Sequence, residues 1–146
     1  MPVVLDTDHL TLLQRHGPEA EHIVARLDQL APDDIAATIV SFHEQFQGWL
    51  AYLNKARKDE QIVRAHRELD ALRRCFQRMN VLVFDRAAQT VFSSLRARCR
   101  RLGTLDLRIA SIALASDSKL ISRNLRDFQQ VPGLTVEDST LPVEDA

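Results

Sequence analysis

The chain has 146 residues, enough for one domain at roughly 150 residues each and long enough to bury about two-thirds of the surface its unfolded form exposes. With 45% hydrophobic and 27% charged residues, four Gly and five Pro, its composition excludes low-complexity, collagen-like and disordered classes. Net charge is −1, no apolar run approaches the roughly 18 residues of a membrane span, no signal-peptide pattern opens the chain, and Cys75 and Cys99 form no CxxC pair, so a cytoplasmic, reducing location without membrane contact is expected.

Val3 to Leu5 is a short apolar run ending at Asp6-Thr7-Asp8, which predicts a buried strand with acids at its C-terminal end. A brief helix around Leu10 to Leu13 follows, then a helix from Ala20 to Leu30 with Pro18 in its first turn, stopped by Pro32. Ile35 to Val40 predicts a second strand, and Ser41 opens a helix running through Trp49 and Leu53. A long helix over about 60–79 turns Ile62, Leu69, Leu72 and Phe76 inward. Val81 to Phe84 predicts a third strand, Asp85 caps a helix to about Arg101, and Gly103 breaks it. Thr104 then caps a helix through Ala115. Leu120 to Ser122 predicts a fourth strand, Asn124 caps a short helix, and Leu134 to Val136 is a fifth strand candidate. Short strands alternating with helices predict one α/β domain over residues 1–146, with a parallel sheet of four to five strands covered on both faces and a loose tail from about 139 to 146.

In open parallel sheets ligands bind outside the C-terminal strand edges, and this sequence places acids there. Asp6 follows the first strand, Glu44 lies one turn beyond the second, Asp106 opens a helix, and Asn124 and Asp127 follow the fourth. Each has a plainer reading. Ser41-x-x-Glu44 fits a capping box, Asp106 fits a helix-dipole partner, and Asp127 fits a surface charge. Yet Asp106 shares an apolar stripe with Ile109, Ala110 and Ala113, where an unpaired charge is costly. Like charges brought together repel, so a converging set needs a cation, and all-oxygen donors favour Mg²⁺ or Mn²⁺ over zinc.

At these residues the sequence resembles the PIN-domain nucleases, specifically the VapC-type toxins of bacterial toxin–antitoxin pairs. Val4-Leu5-Asp6-Thr7-Asp8 is similar to the family's opening motif, Glu44 with Gly48-Trp49 to its second acid and trailing glycine, and Gly103 to Ala110 to its G-x-x-D-L-x-I-A segment. Ser122 to Phe128, with Val131-Pro132-Gly133-Leu134 behind it, resembles the closing segment. The resemblance implies a three-layer α/β/α fold, a Mg²⁺-dependent endoribonuclease acting on a structured RNA such as tRNA or rRNA, a homodimer, and inhibition by a cognate antitoxin protein. Asp6, Glu44 and Asp106 match the family's metal-binding acids, and the fourth position falls to Asn124 or Asp127. Asp8 stands where many relatives carry Asn and adds a candidate ligand.

Charge is unevenly spread: 55–101 holds 13 basic residues and five acids, while the remainder holds six and fifteen. Arginine dominates, and its planar fork suits phosphate. Arg64, Arg67, Arg73, Arg74 and Arg78 fit either a solvated helix face or a polyanion-binding surface. Arg96, Arg98, Arg100 and Arg101, four arginines in six residues, are candidates for RNA phosphate contact. Two other readings compete with the nuclease. Asp6-Thr7-Asp8 partly resembles an aspartyl-nucleophile phosphatase motif, although Leu10 stands where a hydroxyl residue is expected. A non-catalytic RNA-binding or regulatory module on the same fold is the other.

Overall fold

A computed structural model describes residues 1–142. Five parallel strands, β1 (Val3–Leu5), β2 (Ile35–Thr38), β3 (Val81–Leu82), β4 (Lys119–Ile121) and β5 (Val136–Glu137), form one sheet in the order β3-β2-β1-β4-β5. The helices are α1 (Thr7–Arg15), α2 (Pro18–Leu27), α3 (Ile39–Lys55), α4 (Asp59–Arg78), α5 (Arg86–Leu95), α6 (Thr104–Ala115) and α7 (Leu125–Phe128).

Alternation along the central strands builds the layers, because successive side chains leave a strand on opposite faces. Val4 and Leu120 pack with Leu107, Ile109 and Ile112 of α6 and Ala88 and Leu95 of α5. Val3, Leu5 and Ile121 pack on the other face with Leu13 and Leu27. Leu10, Ala37, Leu72 and Phe76 extend that second face under α4. The result is the α/β/α architecture expected from alternating elements. Helix α6 is apolar nearly all round, as befits the helix most deeply enclosed.

The strand order has a consequence for ligands. From β1 the chain moves outward through β2 to β3, then crosses back to place β4 and β5 on the other side of β1. That reversal opens a crevice at the C-terminal ends of β1 and β4, where neighbouring connections diverge. Asp6 and Ser122 stand at those two ends, and the amide of Asp6 donates to Ile121 O at 3.0 Å.

Several boundaries differ from expectation. Strand β2 stops at Thr38 rather than Val40, because the Thr38 hydroxyl accepts the Ser41 amide and caps α3 three residues early. Helix α5 stops at Leu95 rather than Arg101, giving way to turns braced by Arg96. Gly103, not Thr104, is the N-cap of α6. On α4, Leu72 and Phe76 are buried while Ile62 is exposed. The fifth strand begins at Val136 rather than Leu134. The tail expected loose from 139 is anchored at its start: Ser139 is buried, and Arg26 bonds to Leu141 O and Pro142 O. Residues 143–146 lie outside the described residues.

Candidate active site

Asp6 leaves the end of β1 with its carboxylate as the N-cap of α1: Oδ1 accepts the His9 amide at 2.8 Å. The side chain is almost fully buried. Glu44 comes from the second turn of α3 and accepts a 2.8 Å hydrogen bond from Thr7 Oγ1. Thr7 has one hydroxyl proton, so the 2.9 Å contact between its oxygen and Ser41 Oγ has Ser41 as donor. Thr38, Ser41, Thr7 and Glu44 thus form a chain that locks the first turns of α1 and α3 together.

Asp106 stands in the first turn of α6, whose N-terminus lies at the same sheet edge because the helix runs back to feed β4. Burial, and then the charges of Glu44, Asp6 and Asp127, push its carboxyl up from 3.8 to about 6. Three acids from three other segments therefore lie near enough to act on Asp106. Among the described residues no Lys or Arg forms an ion pair with Glu44, Asp106 or Asp127. Asn124 is the N-cap of α7, one turn before Asp127, and its side chain makes no cap hydrogen bond. Glu44, Asp6 and Asp127 lie close enough to Asp106 to raise its carboxyl, and carboxylate oxygens are donors of the kind that suit a hard divalent cation.

The sequence model of the PIN domain family matches residues 3–134. The chain belongs to the PIN-domain family. "Ribonuclease VapC1" of Haemophilus influenzae is 28% identical to this PIN domain over 145 residues, covering 96% of this chain and 99% of that one. Among solved structures, a DNA-bound VapBC from Salmonella typhimurium superposes with a TM-score of 0.76 at 24% identity, covering 95% of this chain and 98% of its own. VapBC-1 from nontypeable Haemophilus influenzae gives 0.74 at 24% identity, covering 97% and 100%.

In this PIN domain the capping-box reading of Glu44 fails, since Ser41 lies inside α3 and Thr38 is the cap. Asp8 is exposed and held by Arg123, whose Nε and Nη2 reach its two oxygens at 2.7 and 3.0 Å. The extra charge expected there is thus cancelled by a guanidinium. Asp6, Asp8 and His9 do bring one donor atom each to within 4.8 Å, but a cation on that trio would compete with Arg123 for Asp8. Arg96 is withdrawn from the phosphate set: its Nη2 serves Leu102 O at 2.9 Å and, more distantly, Cys99 O and Arg100 O. Arg98, Arg100 and Arg101 are exposed in the turns entering α6. The α4 arginines follow the plainer reading in part, with Arg73 and Arg74 on Asp70 and Arg64 over the Trp49 and Tyr52 rings.

Sequence reasoning missed Thr7, Ser41, His9 and Arg123. Hydroxyls one residue after an acid and three before another carry no distinctive pattern, and their meeting depends on how α1 packs on α3. A groove of about 950 Å³ between α1, α3 and α4, lined by Leu10, Gln14, Trp49, Tyr52 and Leu72, contains none of the candidate site acids.

Proposed function

We propose that this PIN domain is a Mg²⁺-dependent endoribonuclease toxin, with Mn²⁺ able to substitute, restrained by a cognate antitoxin. The observation that carries the reading is Asp106 in the first turn of α6: burial and then the charges of Glu44, Asp6 and Asp127 raise its carboxyl. No Lys or Arg among the described residues forms an ion pair with Glu44, Asp106 or Asp127. Likeness to a protein named as a ribonuclease, and to solved VapBC complexes, supports the substrate class and the partner.

Asp6, Glu44, Asp106 and Asp127 would hold the cation, with Asn124 as a neutral oxygen donor. When bound, the ion supplies charge neutralisation at the scissile phosphate and acidification of the attacking water. The chain's own part is placement: the cap on α1 fixes Asp6, Thr7 fixes one oxygen of Glu44, and the α6 N-terminus carries Asp106 to the sheet edge. Attack by water leaves a 5′-phosphate and a 3′-hydroxyl and needs no serine, cysteine or histidine nucleophile. Arg98, Arg100 and Arg101 would contact phosphates of a structured RNA, such as tRNA or rRNA, whose single-stranded loops expose the cleaved bond. A homodimer is part of the same reading.

The apolar groove beside α3 is proposed as the antitoxin's seat, since α1 and α3, which wall it, also carry Thr7 and Glu44, while none of the site's acids lines it. The phosphatase reading is disfavoured because Asp8, its required acid–base group, is engaged by Arg123. Glu44→Gln tests the nuclease directly: Gln still accepts from Thr7 but is a poor Mg²⁺ ligand. A folded protein at least about 100-fold less active is expected, since even outer-shell changes at metal sites cost about 10–100-fold. Undiminished Mg²⁺-dependent cleavage by this variant would remove Glu44 from the site.

A further inference from the structure

His9 is fully buried at the start of α1. Its Nε2 accepts the backbone N–H of Ser139 at 3.2 Å, and an amide can only donate, so in the neutral ring the proton sits on Nδ1. Nδ1 lies 3.3 Å from Asp6 Oδ1 but forms no hydrogen bond to any group among the described residues. A buried N–H without an acceptor is costly, and Asp6 is the acceptor within reach. The same Oδ1 already takes the His9 amide at 2.8 Å. The backbone N–H of His9 thus bonds one carboxylate oxygen and the ring faces the same oxygen, which leaves Oδ2 for another partner.

The other side of the ring is set by the segment after β5. Asp138 Oδ1 lies 3.7 Å from Nε2 and is itself pinned by the Thr140 amide and hydroxyl at 2.8 and 2.6 Å. With Ser139 buried, residues 138–140 form a seat for the imidazole. Through it the end of the chain is tied to the strand end that carries Asp6.

We propose that His9 is a positioning residue: Ser139 fixes its tautomer, and its Nδ1–H fixes Asp6 Oδ1 so that the free oxygen is presented to a divalent cation. This rests on the metal-dependent reading above. The two ring nitrogens can be separated by substitution. His9→Asn keeps a donor near Nδ1 and abandons Ser139, whereas His9→Gln places an acceptor near Nε2 and abandons Asp6.

Mn²⁺ titration of the purified full chain, followed by the electron paramagnetic resonance of the free ion, reads the first function. Thermal unfolding without metal reads the second. Loss of an outer-shell partner predicts Mn²⁺ binding about 10–100-fold weaker in H9Q and within about threefold of wild type in H9N, with H9N the less stable variant. Cleavage by H9Q should recover at excess Mn²⁺. Equal weakening in both variants, or in neither, overturns the positioning role while leaving the metal site intact. Failure of the wild type to bind Mn²⁺ overturns the metal reading itself, and the inference with it. Should either variant fail to fold, ¹⁵N spectra of wild-type imidazoles decide: a His9 ring protonated at Nδ1 supports the proposal, and one protonated at Nε2 overturns it.

Discussion

Asp106 bears the cost of assembling the site. Burial first, then Glu44, Asp6 and Asp127, raise its carboxyl from 3.8 to about 6. A carboxyl raised in the folded state contributes stability below its unfolded pKa and loses that contribution as pH climbs through the folded value. Without metal, the penalty is thus complete above about pH 6. Asp106→Asn removes it, and because the group keeps some solvent contact the gain is discounted to about 1–2 kcal/mol near pH 7.5, closing by about pH 4. Urea unfolding in chelator at the two pH values measures this. A gap of the same size at both would mean that neither burial nor neighbouring acids raise the Asp106 carboxyl. Asp6→Asn makes the complementary case, since Asn caps a helix as well as Asp does. It should fold with α1 intact and cleave no RNA, as judged by circular dichroism and an activity assay.

Helix α3 carries Glu44, and its first turn is fixed by Thr38 at the end of β2. Thr38 is fully buried, so Thr38→Ala loses a cap and leaves the Ser41 amide unpaired, for a destabilisation of about 1–2 kcal/mol. Denaturant unfolding checks the magnitude, and a negligible change would argue that the helix begins at Ser41 after all. This is the element where the sequence misled most instructively. Ile39 and Val40 are β-branched and follow an apolar run, so strand periodicity claims them until a hydroxyl cap, invisible to periodicity, turns the chain. The central strands were legible because three to five apolar residues between polar breaks have few other places to go. Asp6, Glu44 and Asp106 became candidates through their positions just beyond strand ends or in the first turns of helices, and the charges of Asp6 and Glu44 do reach Asp106. The exposure of Ile62 was not, because α4 packs chiefly through Leu72 and Phe76 and its first turns lie beyond the sheet. Likewise the Thr7–Ser41–Glu44 chain and the His9 seat arise from contacts between segments far apart in sequence.

The molecule brings Glu44, Asp6 and Asp127 near Asp106 and exposes arginines in the turns before α6. No helix among the described residues is long and apolar enough to cross a membrane. Arg98, Arg100 and Arg101 enter α6 directly, whose first turn holds Asp106. Replacing all three with Ala should weaken binding of single-stranded RNA and flatten its log–log salt dependence by about 0.7 per lost phosphate contact, up to about 2 in all. An unchanged slope would return these side chains to simple solvation. Trp49 is the chain's one tryptophan and lines the apolar groove, so its fluorescence reports on that face. Docking of a cognate antitoxin should shift its emission and protect it from a quencher, and an unaltered signal at saturation would place the partner elsewhere.

The most direct measurement is end-mapping of structured RNA incubated with the purified chain, with Mg²⁺ or with chelator, beside the Glu44→Gln variant. The proposed convergence of the four acids on one divalent ion predicts new 5′-phosphate and 3′-hydroxyl ends that appear with Mg²⁺ and the unaltered chain. Cleavage that survives chelation, or that leaves 2′,3′-cyclic phosphates, would contradict it.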